Sequence, residues 1–123
     1  MAAFQAVYGL TCDLKVAEKI TQIAQNWSLE IRHFDRAEKL LQRAAERLPN
    51  LFIIDWDHCE AEAFKLLSSR NDIPALKKVP VIGYLSNEKG SVKEEAERAG
   101  CMRVWLKTEF MNDLEDIMIR SMK

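Results

Sequence analysis

The chain has no Cys-x-x-Cys pair, and its three cysteines, Cys12, Cys59 and Cys101, are far apart in sequence. With His33 and His58 isolated from one another, no zinc-site spacing exists, and an odd cysteine count fits reduced thiols in a cytosol. No run of about 18 apolar residues occurs, and no basic N-terminal stretch leads into an apolar one. A signal peptide and a membrane span are therefore not expected, and a cytoplasmic location is. Charge of one sign is also missing. Eighteen basic residues face nineteen acidic ones, for a net charge of −1, whereas a nucleic-acid binder needs a basic surface. No repeat, low-complexity tract or domain linker interrupts the sequence. No Gly-rich or Ser/Thr-rich phosphate loop follows the first apolar segment, which counts against a flavodoxin-type cofactor binder.

What is present is a sequence able to form a core. Hydrophobic residues make up 48% of 123 positions, enough for one domain spanning 1–123 and too few for two. The 30% of charged residues alternate in sign along helical faces, as at Lys15, Lys19, Lys39 and Arg43, which reads as solvated surface.

The most telling segment is Leu51-Phe52-Ile53-Ile54-Asp55-Trp56-Asp57. Four apolar residues run into an acid, as in a strand buried on both faces, and a second acid follows two positions later. Phe4 to Leu10 reads as a first strand, and Asp13 to Asn26 as a helix with Leu14, Ala17, Ile20 and Ala24 at helical spacing. Ser28 to Phe34 alternates as a half-exposed strand. Asp35 with Glu38 makes a capping-box pattern opening a helix through Leu40, Leu41, Ala44, Ala45 and Leu48, closed by Pro49. A helix over about 60–69 follows the third strand, and Asn71 to Lys78 reads as a loop. Val79 to Leu85 is the fourth strand. Ser91 with Glu94 repeats the capping-box pattern, and Gly100 suits a left-handed helix end. Met102 to Leu106 is the fifth strand. Thr108 is expected to cap a last helix over about 109–122, with Phe110, Leu114, Ile117 and Met118 facing inward.

Five strands alternating with five helices require crossover connections, so the expected fold class is α/β: a doubly wound parallel sheet with helices on both faces. In such a sheet the strand C-termini share one rim. Asp55, Ser86 and Lys107 follow strands three, four and five, and a carboxylate, a hydroxyl and an ammonium at one rim suit phosphoryl chemistry.

These residues resemble the receiver domain of bacterial two-component response regulators, over essentially the whole chain. Asp55 matches the phosphoacceptor, Lys107 lies 52 residues beyond it where the family keeps a lysine, Ser86 matches the coupling Ser/Thr, and Ala99-Gly100 precedes the fifth strand as in the family. The resemblance implies a flavodoxin-like five-stranded sheet of order 2-1-3-4-5. It also implies Mg²⁺ as cofactor, with Asp13, Asp55 and Asp57 as the metal-binding positions. It implies protein partners, a histidine kinase or a downstream effector, docking on the face of the fourth helix, fifth strand and fifth helix. The departures fall at the metal. The family places two adjacent acids after strand one, and Leu10-Thr11-Cys12-Asp13 retains one, displaced. The aromatic switch position is Val104, with Trp105 beside it on the other face. The pattern is that of an atypical, pseudo-receiver type, in which phosphorylation is weak or absent.

Other readings remain beside this one. Asp55 and Asp57 also resemble the nucleophile and acid/base of haloacid-dehalogenase-type phosphatases, although that motif normally lies near the N-terminus and an acidic pair should follow the lysine. Cys12 and Cys59 fall near the crevice and are expected to be buried, inert thiols, with a redox pair as the alternative. Trp56 and Trp105 could mark a docking surface, and Trp27 reads as packing. Met111, Met118 and Met122 read as core filling, with a homodimer face as the alternative.

Overall fold

The computed structural model describes residues 5–87 and 90–122. The elements run β1 (Ala6–Leu10), α1 (Leu14–Asn26), β2 (Glu30–Phe34), α2 (Ala37–Glu46), β3 (Leu51–Asp55), α3 (Glu60–Asp72) and α4 (Pro74–Lys77). They continue with β4 (Val81–Leu85), α5 (Gly90–Arg98), β5 (Arg103–Leu106), α6 (Lys107–Asn112) and α7 (Leu114–Ser121). The five strands form one sheet in the order β2-β1-β3-β4-β5, every neighbouring pair parallel. This is the doubly wound arrangement expected from the strand–helix alternation.

Burial explains the patterning. β1, β3 and β4 are buried at every position, so they read as unbroken apolar runs, while the edge strands β2 and β5 are partly exposed. Side chains alternate between two cores. Tyr8, Phe52, Ile54 and Val81 pack on one face against Leu40 and Ala44 of α2, Ala63, Leu66 and Leu67 of α3 and Ala96 of α5. Val7, Leu51, Ile53, Ile82 and Tyr84 pack on the other against Val16, Ile20 and Ile23 of α1 and Phe110, Leu114, Ile117 and Met118 of the last two helices. Burying each Val, Leu, Ile, Phe or Met among them contributes about 1.5–3 kcal/mol.

Several local expectations change. The loop expected at 71–78 is largely helical: α3 extends to Asp72, and Pro74 opens α4 at a first-turn position, where its missing N–H costs nothing. The helix expected from Glu109 begins two residues earlier, at Lys107, and breaks at Asp113 into α6 and α7, so Thr108 lies within the first turn. Asp35 does not cap α2. The flanking residue is Arg36, without a side-chain cap, and the free N–H of Ala37 donates instead to Glu62 Oε1 of α3 at 2.9 Å. Asp35 pairs with Lys39 on the surface. Ser91 lies inside α5 rather than before it. Ala45 lies on the exposed face of α2, and Leu48 is exposed beyond its end at Glu46. Phe4, expected in β1, lies outside the described residues.

Gly100 does terminate α5. Its φ is +122°, its N–H donates to Glu97 O at 3.2 Å, and Cys101 N–H donates to Ala96 O at 3.0 Å. The two bonds form a Schellman motif, which satisfies carbonyls the helix end leaves free. Of the methionines, Met118 is fully buried and Met111 and Met122 pack against the same core, as expected of filling residues.

Two tryptophans differ from expectation. Trp56 is 1% exposed and stacks edge-on against Phe64 at 5.0 Å, so it belongs to the core and not to a docking surface. Trp27 is 52% exposed, and its indole N–H donates to Glu115 Oε2 at 3.1 Å. It follows the last residue of α1, where the chain turns out toward solvent.

Candidate functional site

The C-terminal rim of the sheet gathers the loop after β1, the turn after β3, the end of β4 and the start of α6. Asp55 lies at its centre and is fully buried. Its side chain folds the turn that follows it: Oδ1 accepts the N–H of Asp57 at 2.9 Å and of His58 at 3.1 Å. Oδ2 accepts His58 Nδ1 at 2.9 Å and, more weakly, Cys12 N–H at 3.4 Å. An ionised carboxylate offers about four acceptor positions. The chain itself fills all of them here.

Asp57 and Ser86 meet across β3 and β4. Asp57 Oδ1 accepts Ser86 N–H at 2.9 Å and Oδ2 accepts the Ser86 hydroxyl at 2.5 Å. Lys107 reaches in the other direction, to Asp13 Oδ2 at 2.5 Å. The other oxygen of Asp13 caps α1, accepting Lys15 N–H at 3.0 Å and Val16 N–H at 3.3 Å. The hydrogen bond to Lys107 holds the Asp13 carboxyl below its usual range, and the same bond raises Lys107. Asp55, Ser86 and Lys107 thus share one rim, but among the described residues neither Ser86 nor Lys107 hydrogen-bonds Asp55. Asp57 and Asp13 intervene.

His58 is the residue sequence reading missed. Read as isolated, it stands three positions from Asp55, within reach once the turn closes, and its half-exposed ring lies over a buried carboxylate. The hydrogen bond to Asp55, reinforced by that charge, raises the imidazole pKa above 6.5. A group whose pKa is higher folded than unfolded stabilises the fold below its unfolded pKa. That contribution fades as pH rises through the folded value. We expect the His58 ring resonances, followed by NMR against pH, to titrate above 6.5 in the native chain and to fall back toward 6.5 in Asp55→Asn. An unchanged midpoint in the variant would remove Asp55 as the cause.

Potential ligand atoms of Asp55, Asp57 and His58 lie within 4.8 Å of one another. Asp13, expected as a third carboxylate ligand, is not in that group. Cys12 and Cys59 also differ from the expected pair of buried thiols. Cys12 is exposed and Cys59 buried, and their sulfurs are 2.9 Å apart. Burial, then the neighbouring Cys12, pushes the Cys59 thiol up. Val104 packs into one core while Trp105 packs toward the other, with the Arg103 guanidinium 4.6 Å over its ring.

The same fold occurs in solved structures. A protein from Chloroflexus aurantiacus assigned as a response regulator superposes with a TM-score of 0.83 at 19% identity, over 98% of both chains. The receiver domain of a Pseudomonas aeruginosa sensor histidine kinase, which coordinates a magnesium ion in its active-site cleft, gives 0.80 at 13% identity, over 98% of both. The Vibrio cholerae chemotaxis response regulator gives 0.80 at 14% identity, over 97% of this chain and 99% of its own.

The chain has the receiver-domain fold.

No family model and no curated protein matches its sequence. In this receiver fold, Asp55 ends the central strand, and Ser86 and Lys107 follow the two strands beyond it. Among the described residues, no helix is long and apolar enough to cross a membrane.

Proposed function

We propose that the chain is a single receiver-like signal-transduction module of the pseudo-receiver type. It acts by docking protein partners, and Asp55 takes phosphate weakly or not at all. The observation that carries this reading is the closure of Asp55. Both its oxygens are occupied by donors of the chain, the half-exposed His58 ring among them. A nucleophile must present a free lone pair to phosphorus, and here each is engaged in a hydrogen bond.

The metal position points the same way. Mg²⁺ demands near-octahedral oxygen ligands. Of the three clustered donors one is an imidazole nitrogen, and Asp13 is held by Lys107 and by the start of α1. This donor set fits Mg²⁺ poorly, in line with the single acid left after β1. Ser86 and Lys107 are then rim-stabilising residues, tied to Asp57 and Asp13 respectively. The docking face is α5, β5 and the α6–α7 pair, where Arg103 and Trp105 lie. A phosphatase would need Asp57 free to exchange a proton, and both its oxygens are committed to Ser86.

The test is incubation with acetyl phosphate and Mg²⁺ followed by intact mass. We expect the great majority of the protein to keep its unmodified mass. A stable adduct of about 80 Da on most molecules, absent in Asp55→Ala, would overturn the pseudo-receiver reading.

A further inference from the structure

Cys12 and Cys59 are 47 positions apart and share no sequence motif, yet their sulfurs stand 2.9 Å apart at the rim. Two independent elements bring them there. Cys12 follows β1, and its N–H points to Asp55 Oδ2. Cys59 precedes α3, and its N–H donates to the Asp55 carbonyl at 3.1 Å. Both backbones are thus referenced to the same residue, which fixes one sulfur against the other. A disulfide bond is about 2.05 Å long, so closure requires the sulfurs to approach by about 0.9 Å. One of the pair is exposed to solvent and the other buried behind it, as expected of an attacking thiol and its resolving partner.

We propose that Cys12 and Cys59 are a dithiol oxidation site, converted by hydrogen peroxide to an intramolecular disulfide beside Asp55. The Cys12 sulfur attacks the O–O bond. An S–O bond forms, the O–O bond breaks, and the departing oxygen leaves as water with the thiol proton. The Cys59 sulfur then attacks the Cys12 sulfenic acid. The S–S bond forms, the S–O bond breaks, and hydroxide departs with the Cys59 proton as a second water. Hydrogen peroxide gains two electrons and the thiol pair loses them. A dithiol reductant returns two electrons and two protons. The disulfide ties the loop after β1 to the start of α3 and closes the chain from 12 to 59 around Asp55.

Cys101 is an internal control. It is buried in the same core as Cys59, just before β5, with its sulfur near Arg103 O. The experiment treats the purified full chain with a small excess of hydrogen peroxide, denatures it in N-ethylmaleimide and measures intact mass. The expected result is loss of the two alkylatable thiols at Cys12 and Cys59, leaving only Cys101 to label, with full labelling restored by dithiothreitol. Cys59→Ser should trap Cys12 as an oxygen adduct of about 16 or 32 Da instead. Because Cys12 is exposed, Cys12→Ser serves if the buried variant misfolds, and there Cys59 should stay reduced. Three labelled thiols after oxidation, a Cys12 sulfinic acid beside a free Cys59 in the native chain, or a linkage between two chains would each overturn the assignment. None of these readouts depends on whether Asp55 accepts phosphate.

Discussion

Gly83→Ala is expected to lower the unfolding free energy by roughly 3 kcal/mol, at the upper end of what overpacking a core costs. Gly83 sits in the middle of β4, a central strand, where glycine has neither side-chain packing nor β-propensity to recommend it. The reason lies across the ladder. A Cβ built on Gly83 would stand 2.5 Å from Trp56 Nε1, 2.6 Å from Trp56 Cδ1 and 2.8 Å from the carbonyl oxygen of Ile54. The oxygen cannot retreat without moving β3, which carries Asp55. The indole cannot retreat without losing its edge-on contact with Phe64. Gly9→Ala is the control. There the new methyl would meet the side-chain tips of Thr11 and His33 at 3.2–3.3 Å, near the edge strand, and the cost should stay below about 1 kcal/mol. Urea denaturation of both variants measures the difference. Equal midpoints would mean that Trp56 repacks freely and that the close approach of β4 to the indole is not what selects glycine.

The same contact shows what the sequence disclosed and what it concealed. Leu51–Asp55 announced itself because a strand buried on both faces needs no alternation, and its ends matched the structure to the residue. Gly100 was legible because a left-handed helix end has one cheap solution. The inward set Phe110, Leu114, Ile117 and Met118 survived even the break at Asp113, since a short interruption leaves the helical face in phase. Trp56 was misread because it falls just past the end of β3, where alternation no longer assigns a face. Its pocket is made by an absent side chain 27 residues away. The caps failed for a related reason. Asp35, Ser91 and Thr108 belong to residue types that can cap, but capping depends on where the helix starts, and Glu62 from another helix caps Ala37 instead. Cys12 and Cys59 were placed near one crevice, but spacing alone does not set their sulfurs 2.9 Å apart, and His58 was read as isolated because only the closed turn folds its ring back onto Asp55 three positions earlier.

Arg70→Met is expected to cost roughly 3 kcal/mol, with no effect on the rim chemistry itself. Arg70 occupies the last turn of α3 and is 8% exposed. Among the described residues, no carboxylate pairs with it. Nε and Nη2 donate to Val79 O at 3.1 and 2.8 Å, Nη2 also to Lys77 O at 2.9 Å, and Nη1 to Asn71 Oδ1 at 3.0 Å. Burial lowers its pKa, yet leaves so basic a group charged at neutral pH. Methionine refills much of the volume, so the loss isolates the hydrogen bonds. The carbonyl of Val79 is then left buried without that donor, at about 1–3 kcal/mol before relaxation, and the partly buried carbonyl of Lys77 loses its donor too. Those carbonyls end α4 and lead into β4, so the fork also fixes where β4 begins. Asn71, held by the same guanidinium, donates to Ala99 O just past α5 and ties the end of α3 to the turn before β5. Arg70→Lys separates charge from geometry. It keeps the cation but cannot reach two carbonyls as a fork, and should recover less than half of the loss. Thermal unfolding of the two variants decides the matter. If Arg70→Met matches the native chain within about 0.5 kcal/mol, desolvating the guanidinium costs as much as its four bonds return, and the lead into β4 is held by packing of Leu76 and Val79 alone.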